Sequence, residues 1–218
     1  MERSQPNSPW HPTTREQERE NKRDAVLRTA ARLFSEKGFH GTSLELVADE
    51  LHITRPTVYY YVKSKDEILF ECVKIALEMI ERAAQEVTER GGSAVDQLMA
   101  VLHKYAEIIM MEFGMCLVRV GEDPLPPESR RKLRKLQSSI DQKIRRLIAQ
   151  GIEEKAFGPV DPKLAAFAVA GALNSIARWY RPAGELKPHQ IAGQFVGMMM
   201  NSLVAQPPRG RKKPRADK

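Results

Sequence analysis

Cysteine is scarce in this chain, with only Cys72 and Cys116. Two thiols so far apart build neither a disulfide framework nor a C-x-x-C metal or redox site, so both are expected as reduced, buried residues. Long apolar runs are missing too. Nothing approaches the roughly 18 to 20 residues that span a bilayer, and the first residues lack the apolar stretch of a secretion signal. The expectation is a cytoplasmic protein with no membrane partner. His11, His40, His52, His103 and His189 are scattered, with no H-x-x-x-H or H-E-x-x-H spacing, and there is neither a Gly-rich phosphate loop nor a G-x-S-x-G elbow. His103 with Glu107 one turn on reads as a surface or pocket pair rather than an acid/base dyad. These absences argue against an enzyme and imply no cofactor and no metal. No segment alternates apolar and polar residues between turn signals, and no internal repeat is present, which predicts an all-α fold.

Charge of one sign is abundant overall, at a formal net +7, but it is unevenly placed. Residues 1–70 carry eleven basic and eleven acidic side chains, whereas 128–155 carry nine and four and the last twelve carry six and one. A nucleic-acid reading therefore rests on local arrangement and not on bulk charge.

Residues 1–15 contain Pro6, Pro9 and Pro12 and are expected to form a disordered arm; residues 207–218, basic and proline-rich, are expected to be a disordered tail. From Glu16 the pattern turns helical, with Val26, Leu27, Ala30, Leu33 and Phe34 on one face and Gly38 as a stop. Thr42-Ser43-Leu44-Glu45 matches a capping box that opens a short helix to Leu51. Thr54 can cap a third helix with Pro56 in its first turn, where proline is tolerated, running to Tyr61. Ser64-Lys65-Asp66-Glu67 is a second capping box, opening a long helix that Gly91-Gly92 ends. Further helices are expected near 93–112, 127–155, 161–180 and 187–205, with a short helical turn near 115–120. The organisation predicted is an N-terminal three-helix helix-turn-helix domain over 16–66 and a helical ligand-binding and dimerisation domain over 67–206.

Three short helices in about 45 residues, the second pair joined by a tight turn, let one helix protrude into a DNA major groove. Small Ala48 allows the third helix to cross the second closely. The third helix then offers Thr54, Arg55, Pro56, Thr57, Tyr59, Tyr60 and Tyr61, with no acid among them. Arg55 alone has the fork that suits guanine. Lys65 stands at a helix start, where dipole and free N–H groups favour a phosphate. Thr42-Ser43-Leu44-x-x-Val47-Ala48 followed by Ile53-Thr54-x-Pro56-Thr57-Val58-Tyr59-x-Tyr61-Val62-x-Ser64-Lys65 resembles the TetR family of repressors over roughly residues 20–70. The resemblance implies that Arg55, Pro56, Thr57 and Tyr59 face bases or sugars, and that Ser43, Tyr59, Tyr61 and Lys65 hold phosphates; Thr42 is expected among the DNA-binding residues as well. It implies an inverted-repeat DNA operator and a homodimer as well. His52 stands where that family usually has glycine in the turn, and Val62 where it often has phenylalanine.

Beyond residue 70 the resemblance implies a divergent effector domain. A nearly continuous apolar run from Ile108 to Val118 contains Met110, Met111 and Met115, which suits either a core or an adaptable pocket. Ala166, Ala170, Gly171, Ala177, Ala192, Gly193 and Gly197 place small residues at helical spacing in the last two helices. With Phe167, Val196 and Met200 they are expected to make half of a four-helix dimer interface. Arg178-Trp179-Tyr180-Arg181-Pro182-x-Gly184 resembles the close of the penultimate helix in TetR-type regulators that answer to acyl-CoA thioesters. That implies a small hydrophobic effector held by Met111, Met115, Val118, Arg178, Trp179 and Arg181, an acyl-CoA being one candidate beside a free fatty acid or a planar drug. A constitutive DNA-binding or scaffold protein without an effector stays open at this point.

Overall fold

The computed structural model describes residues 15–204, so the expected tail and all of the expected arm except Arg15 lie outside the described residues. Among the described residues there are nine α-helices and no strand, with one isolated antiparallel bridge between Phe157 and Val204. Helix α1 (Arg15–Lys37) buries Val26, Leu27, Ala30, Leu33 and Phe34, its expected face, and Gly38 ends it at φ 76°. Helices α2 (Leu44–Glu50) and α3 (Arg55–Tyr61) pack against α1 through Val47, Ala48 and Val58.

The caps differ in detail from their sequence signatures. Ser43, and not Thr42, is the N-cap of α2, its hydroxyl accepting from the Leu46 N–H at 3.1 Å. Thr42 is buried and donates its hydroxyl to the Gly38 carbonyl at 2.9 Å, because the tight turn after Gly38 folds it beneath the end of α1. Thr54 caps α3 as expected, with Pro56 in its first turn. Ser64 caps α4 (Lys65–Arg90), but Glu67 reaches back to the Lys63 N–H at 2.7 Å, one residue earlier than a capping box places it. In the α2–α3 turn His52 takes the left-handed conformation (φ 54°) while Ile53 N–H bonds the Ala48 carbonyl at 3.0 Å. The turn keeps the geometry glycine would give and carries the strain of a Cβ.

Helix α4 leaves the three-helix head without a break and runs into the body, burying Ile68, Leu69, Cys72, Val73, Ala76, Leu77 and Ile80. The body comprises α5 (Ala94–Ile109), α6 (Glu112–Arg119), α7 (Pro127–Glu153), α8 (Pro162–Trp179) and α9 (Pro188–Leu203). Helix α5 is central and touches α4, α6, α7, α8 and α9. Gly114 permits the α5–α6 corner, since a Cβ there would lie 2.0 Å from the Ile108 carbonyl oxygen. Head and body also meet where α1 lies on α6 and Arg28 joins Glu112 at 3.5 Å. Cys72 and Cys116 are free and fully buried, and burial pushes the Cys72 thiol well up.

Candidate functional site

Helix α3 turns Val58 fully inward and Tyr61 partly so, leaving Arg55, Pro56, Tyr59 and Tyr60 on its outer side, with Arg19 of α1 over the Tyr60 ring. Arg55, Pro56, Tyr59 and Tyr60 are exposed, Tyr60 by 65%, with Thr57 and Tyr61 half-buried beside them. Arg55 is pre-set before any DNA arrives. Its guanidinium lies 2.6 Å from the Glu45 carboxylate of α2 and 3.3 Å from the Tyr59 hydroxyl, above the Tyr59 ring. The Tyr59 hydrogen bond and then the charge of Glu45 hold the Arg55 pKa above its ordinary value. Thr54 and Thr57 share a hydroxyl hydrogen bond of 2.8 Å at the start of α3. Ser43 is exposed at the start of α2.

Two residues predicted to contact DNA have other duties. Thr42 has its side chain under the loop, and its hydroxyl is already engaged. Lys65 donates to the Phe39 carbonyl at 3.0 Å and the Thr42 carbonyl at 3.1 Å and sits over the Phe39 ring. Its ammonium locks the α1–α2 loop to the start of α4 by giving a charged donor to two loop carbonyls, of which that of Phe39 also accepts from the Thr42 N–H at 3.3 Å.

The body holds two cavities that the sequence reading had merged into one. The first, about 390 Å³, opens between α4, α5, α6, α7 and α8 and is lined by Leu77, Leu117, Val118, Ile140, Phe167 and Arg178 among others. Its polar groups are Gln137, Asp141, Asn174 and Tyr105, whose hydroxyl lies 3.0 Å from the Asn174 side-chain oxygen and donates to it. Sequence reasoning missed these four. They come from α5, α7 and α8, and no local spacing marks residues that meet only on packing. The second, about 1050 Å³, lies between α1, α6 and the end of α8, where Met111, Met115, Trp179 and Arg181 gather with Arg32 and Arg119. Arg178 lines both. Most of the methionine-rich run is core: Ile108, Ile109, Met110, Phe113 and Cys116 are buried within the chain.

A long α4 carries α2, α3 and their left-handed turn into a helical body, and both stretches of the chain match families of known proteins. Residues 26–72 match the one described as bacterial regulatory proteins, tetR family, and residues 91–203 match the tetracyclin repressor-like C-terminal domain. The chain belongs to the TetR family. It is a helix-turn-helix transcriptional regulator, and regulators of this family are not enzymes. A curated TetR relative, the repressor KstR2 of Mycolicibacterium smegmatis, is 22% identical over 91% of this chain and 95% of its own length. Among solved TetR structures, PfmR of Thermus thermophilus superposes with a TM-score of 0.74 at 28% identity, covering 83% of this chain and 99% of that one. AibR in complex with isovaleryl coenzyme A and operator DNA gives 0.72 at 23% identity, covering 84% of this chain and 100% of that one.

The face expected to meet a second TetR subunit is open in part. Phe167 is 52% exposed under the Arg145 guanidinium, and a Cβ added at Gly171, Gly193 or Gly197 would meet nothing within the chain. The predicted stripe therefore divides: Gly171, Gly193 and Gly197 leave the outer sides of α8 and α9 bare, Ala170 is half-buried, and Ala166, Ala177 and Ala192 are buried within the chain. Val196 and Met200, expected on that face, point the other way and are buried against the body, because they fall on the α9 stripe that packs on α5.

Proposed function

We propose that this TetR regulator is a repressor that binds an inverted-repeat operator as a dimer and leaves it when a small hydrophobic compound enters the body. The observation that carries the DNA reading is α3, a short helix with one buried anchor and an exposed row of Arg55, Tyr59 and Tyr60 with half-buried Thr57 beside them. Ser43, Thr54, Pro56 and Tyr61 flank that row and would hold sugars and phosphates. Arg55 exchanges Glu45 for a guanine edge, so the carboxylate keeps the fork aligned while no DNA is bound. Footprinting on an operator is the test. Arg55→Ala should relax base preference at one position in each half-site at a cost of about 1–3 kcal/mol, and unchanged preference would reassign the reading helix.

The effector reading rests on the 390 Å³ cavity, whose walls are apolar apart from a few convergent polar groups. An acyl-CoA thioester suits it: the cavity takes the acyl chain, and Arg178 at its edge suits a charged remainder outside. The structural likeness to AibR, which was crystallised with isovaleryl coenzyme A and operator DNA, supports that choice. A regulator that senses nothing is the rival, and a formed cavity beside the long α4 favours sensing. We place the protein in the cytoplasm, where its operator would be; no helix among the described residues is long and apolar enough to cross a membrane. Native purification, extraction and identification of co-purified compounds by mass, followed by operator release, would name the effector.

A further inference from the structure

The larger cleft lies apart from the apolar cavity and joins the body to the DNA-binding head. Four arginines converge on it from three elements: Arg32 from α1, Arg119 from α6, and Arg178 and Arg181 from the end of α8. Two acids face it, Glu36 and Glu112, and each already has an arginine partner, Arg32 at 3.3 Å and Arg28 at 3.5 Å. Arg119 lines the cleft while donating to the Ala177 and Tyr180 carbonyls at 2.6 and 3.0 Å, which fixes the end of α8. Arg178 and Arg181 have no acid partner among the described residues. The walls are soft and flat: Met111 and Trp179 are 41% and 46% exposed, and the Trp179 ring rests against Phe195 of α9 at 5.9 Å.

From this we infer that the cleft is a binding site for a phosphate-bearing ligand of nucleotide size, and that occupancy acts on the DNA-binding head through Arg32. Arginine forks bind phosphate with paired, charge-assisted hydrogen bonds, and an indole and thioethers accept a flat heterocycle. Arg32 is the link. It holds Glu50 of α2 at 2.6 Å, the ion pair that ties α1 to the helix before the reading helix. That pair is exposed, and exposed ion pairs are weak and exchange readily. A phosphate in the cleft therefore draws Arg32 from Glu50, loosens α2 against α1, and disfavours the setting of α3 that DNA requires. Linkage makes the effect reciprocal: operator DNA weakens the phosphate ligand by the same factor.

The inference extends the effector reading, since Arg178 lines both cavities and one ligand with an apolar tail and a phosphorylated head would occupy the two together. Its test uses the full chain carrying Trp10→Phe, which leaves Trp179 as the only tryptophan. Coenzyme A, adenosine 3′,5′-bisphosphate and inorganic phosphate are titrated separately while Trp179 fluorescence is read. Both nucleotides should change the emission saturably, Arg181→Gln should weaken them about tenfold, and Glu50→Gln, which leaves Arg32 only its longer pair with Glu36 at 3.3 Å, should tighten them about threefold. No saturable change with either nucleotide, or affinity unaltered by Arg181→Gln, overturns the site. Unaltered affinity in Glu50→Gln overturns the competition for Arg32, and inorganic phosphate binding as tightly as the nucleotides overturns the nucleotide-sized ligand. Operator footprinting and release by a hydrophobic effector are read on DNA, so their failure is distinguishable from failure here.

Discussion

Lys65 and Arg55 are both cations of the DNA-binding head, and their surroundings assign them different tasks. Arg55 is exposed and held by groups it can exchange, Glu45 and Tyr59. Lys65 is part-buried and spends two donors on the carbonyls of Phe39 and Thr42. Its position at a helix start suggested a phosphate contact, but helix start and loop carbonyls are brought together by the fold, 23 and 26 residues apart in sequence. Lys65→Met keeps the aliphatic bulk and removes the donor. It should destabilise the protein by about 2 kcal/mol, because two carbonyls lose a charged partner, and urea melts would show it. The slope of log operator affinity against log salt should be unchanged for folded protein; a slope smaller by about one would return Lys65 to the phosphates.

Elements of the body are held to one another by few polar bonds, and the one inside the apolar cavity is the Tyr105 hydroxyl of α5 on the Asn174 side chain of α8. Burial pushes the Tyr105 pKa up to about 12, with the neighbouring Asn174 side chain acting in the other direction. The neutral phenol is thus the form the fold keeps. An unfolded tyrosine ionises near its ordinary value of about 10, so this contribution to stability is complete below that pH and is lost as pH rises towards the folded value. Tyr105→Phe should therefore flatten the loss of stability between about pH 10 and 12, measured by denaturant melts at several pH values. An equally steep loss in the variant would mean that Tyr105 is not the titrating group. Helix identities at this scale were legible from stops and caps such as Gly38, Thr54, Ser64 and Gly91, which are local. The shift of the α2 cap from Thr42 to Ser43 was not, because Thr42 is claimed by the turn that buries it.

At the scale of the whole molecule, the bare outer sides of α8 and α9 are where a second copy is expected. Gly197 offers a clean probe, since a Cβ added there would meet nothing of the chain within 4 Å. Gly197→Leu should yield a folded monomer by native mass spectrometry and lose operator affinity, because a twofold operator needs two reading helices. An intact dimer in that variant would move the interface to another face. The same surface shows why small residues were misjudged in part: spacing reveals that a stripe exists but not whether the stripe closes an internal helix pair or stays open. Val196 and Met200, each within three positions of the open Gly197, are core residues because α9 rotates that stripe onto α5.

Local chemistry was enough for the helical class and for the three short helices of the helix-turn-helix. Caps, proline at a helix start, glycine stops and apolar periodicity act within a few residues, and the three-helix head lies within one stretch of chain. What only the tertiary structure decided is everything built from distant segments. The division of the ligand region into an apolar cavity and an arginine-lined cleft, the sharing of Arg178 between them, and the link from that cleft through Arg32 to Glu50 depend on how α1, α6 and α8 converge. Such convergence is set by packing between elements, for which the sequence carries no fixed spacing.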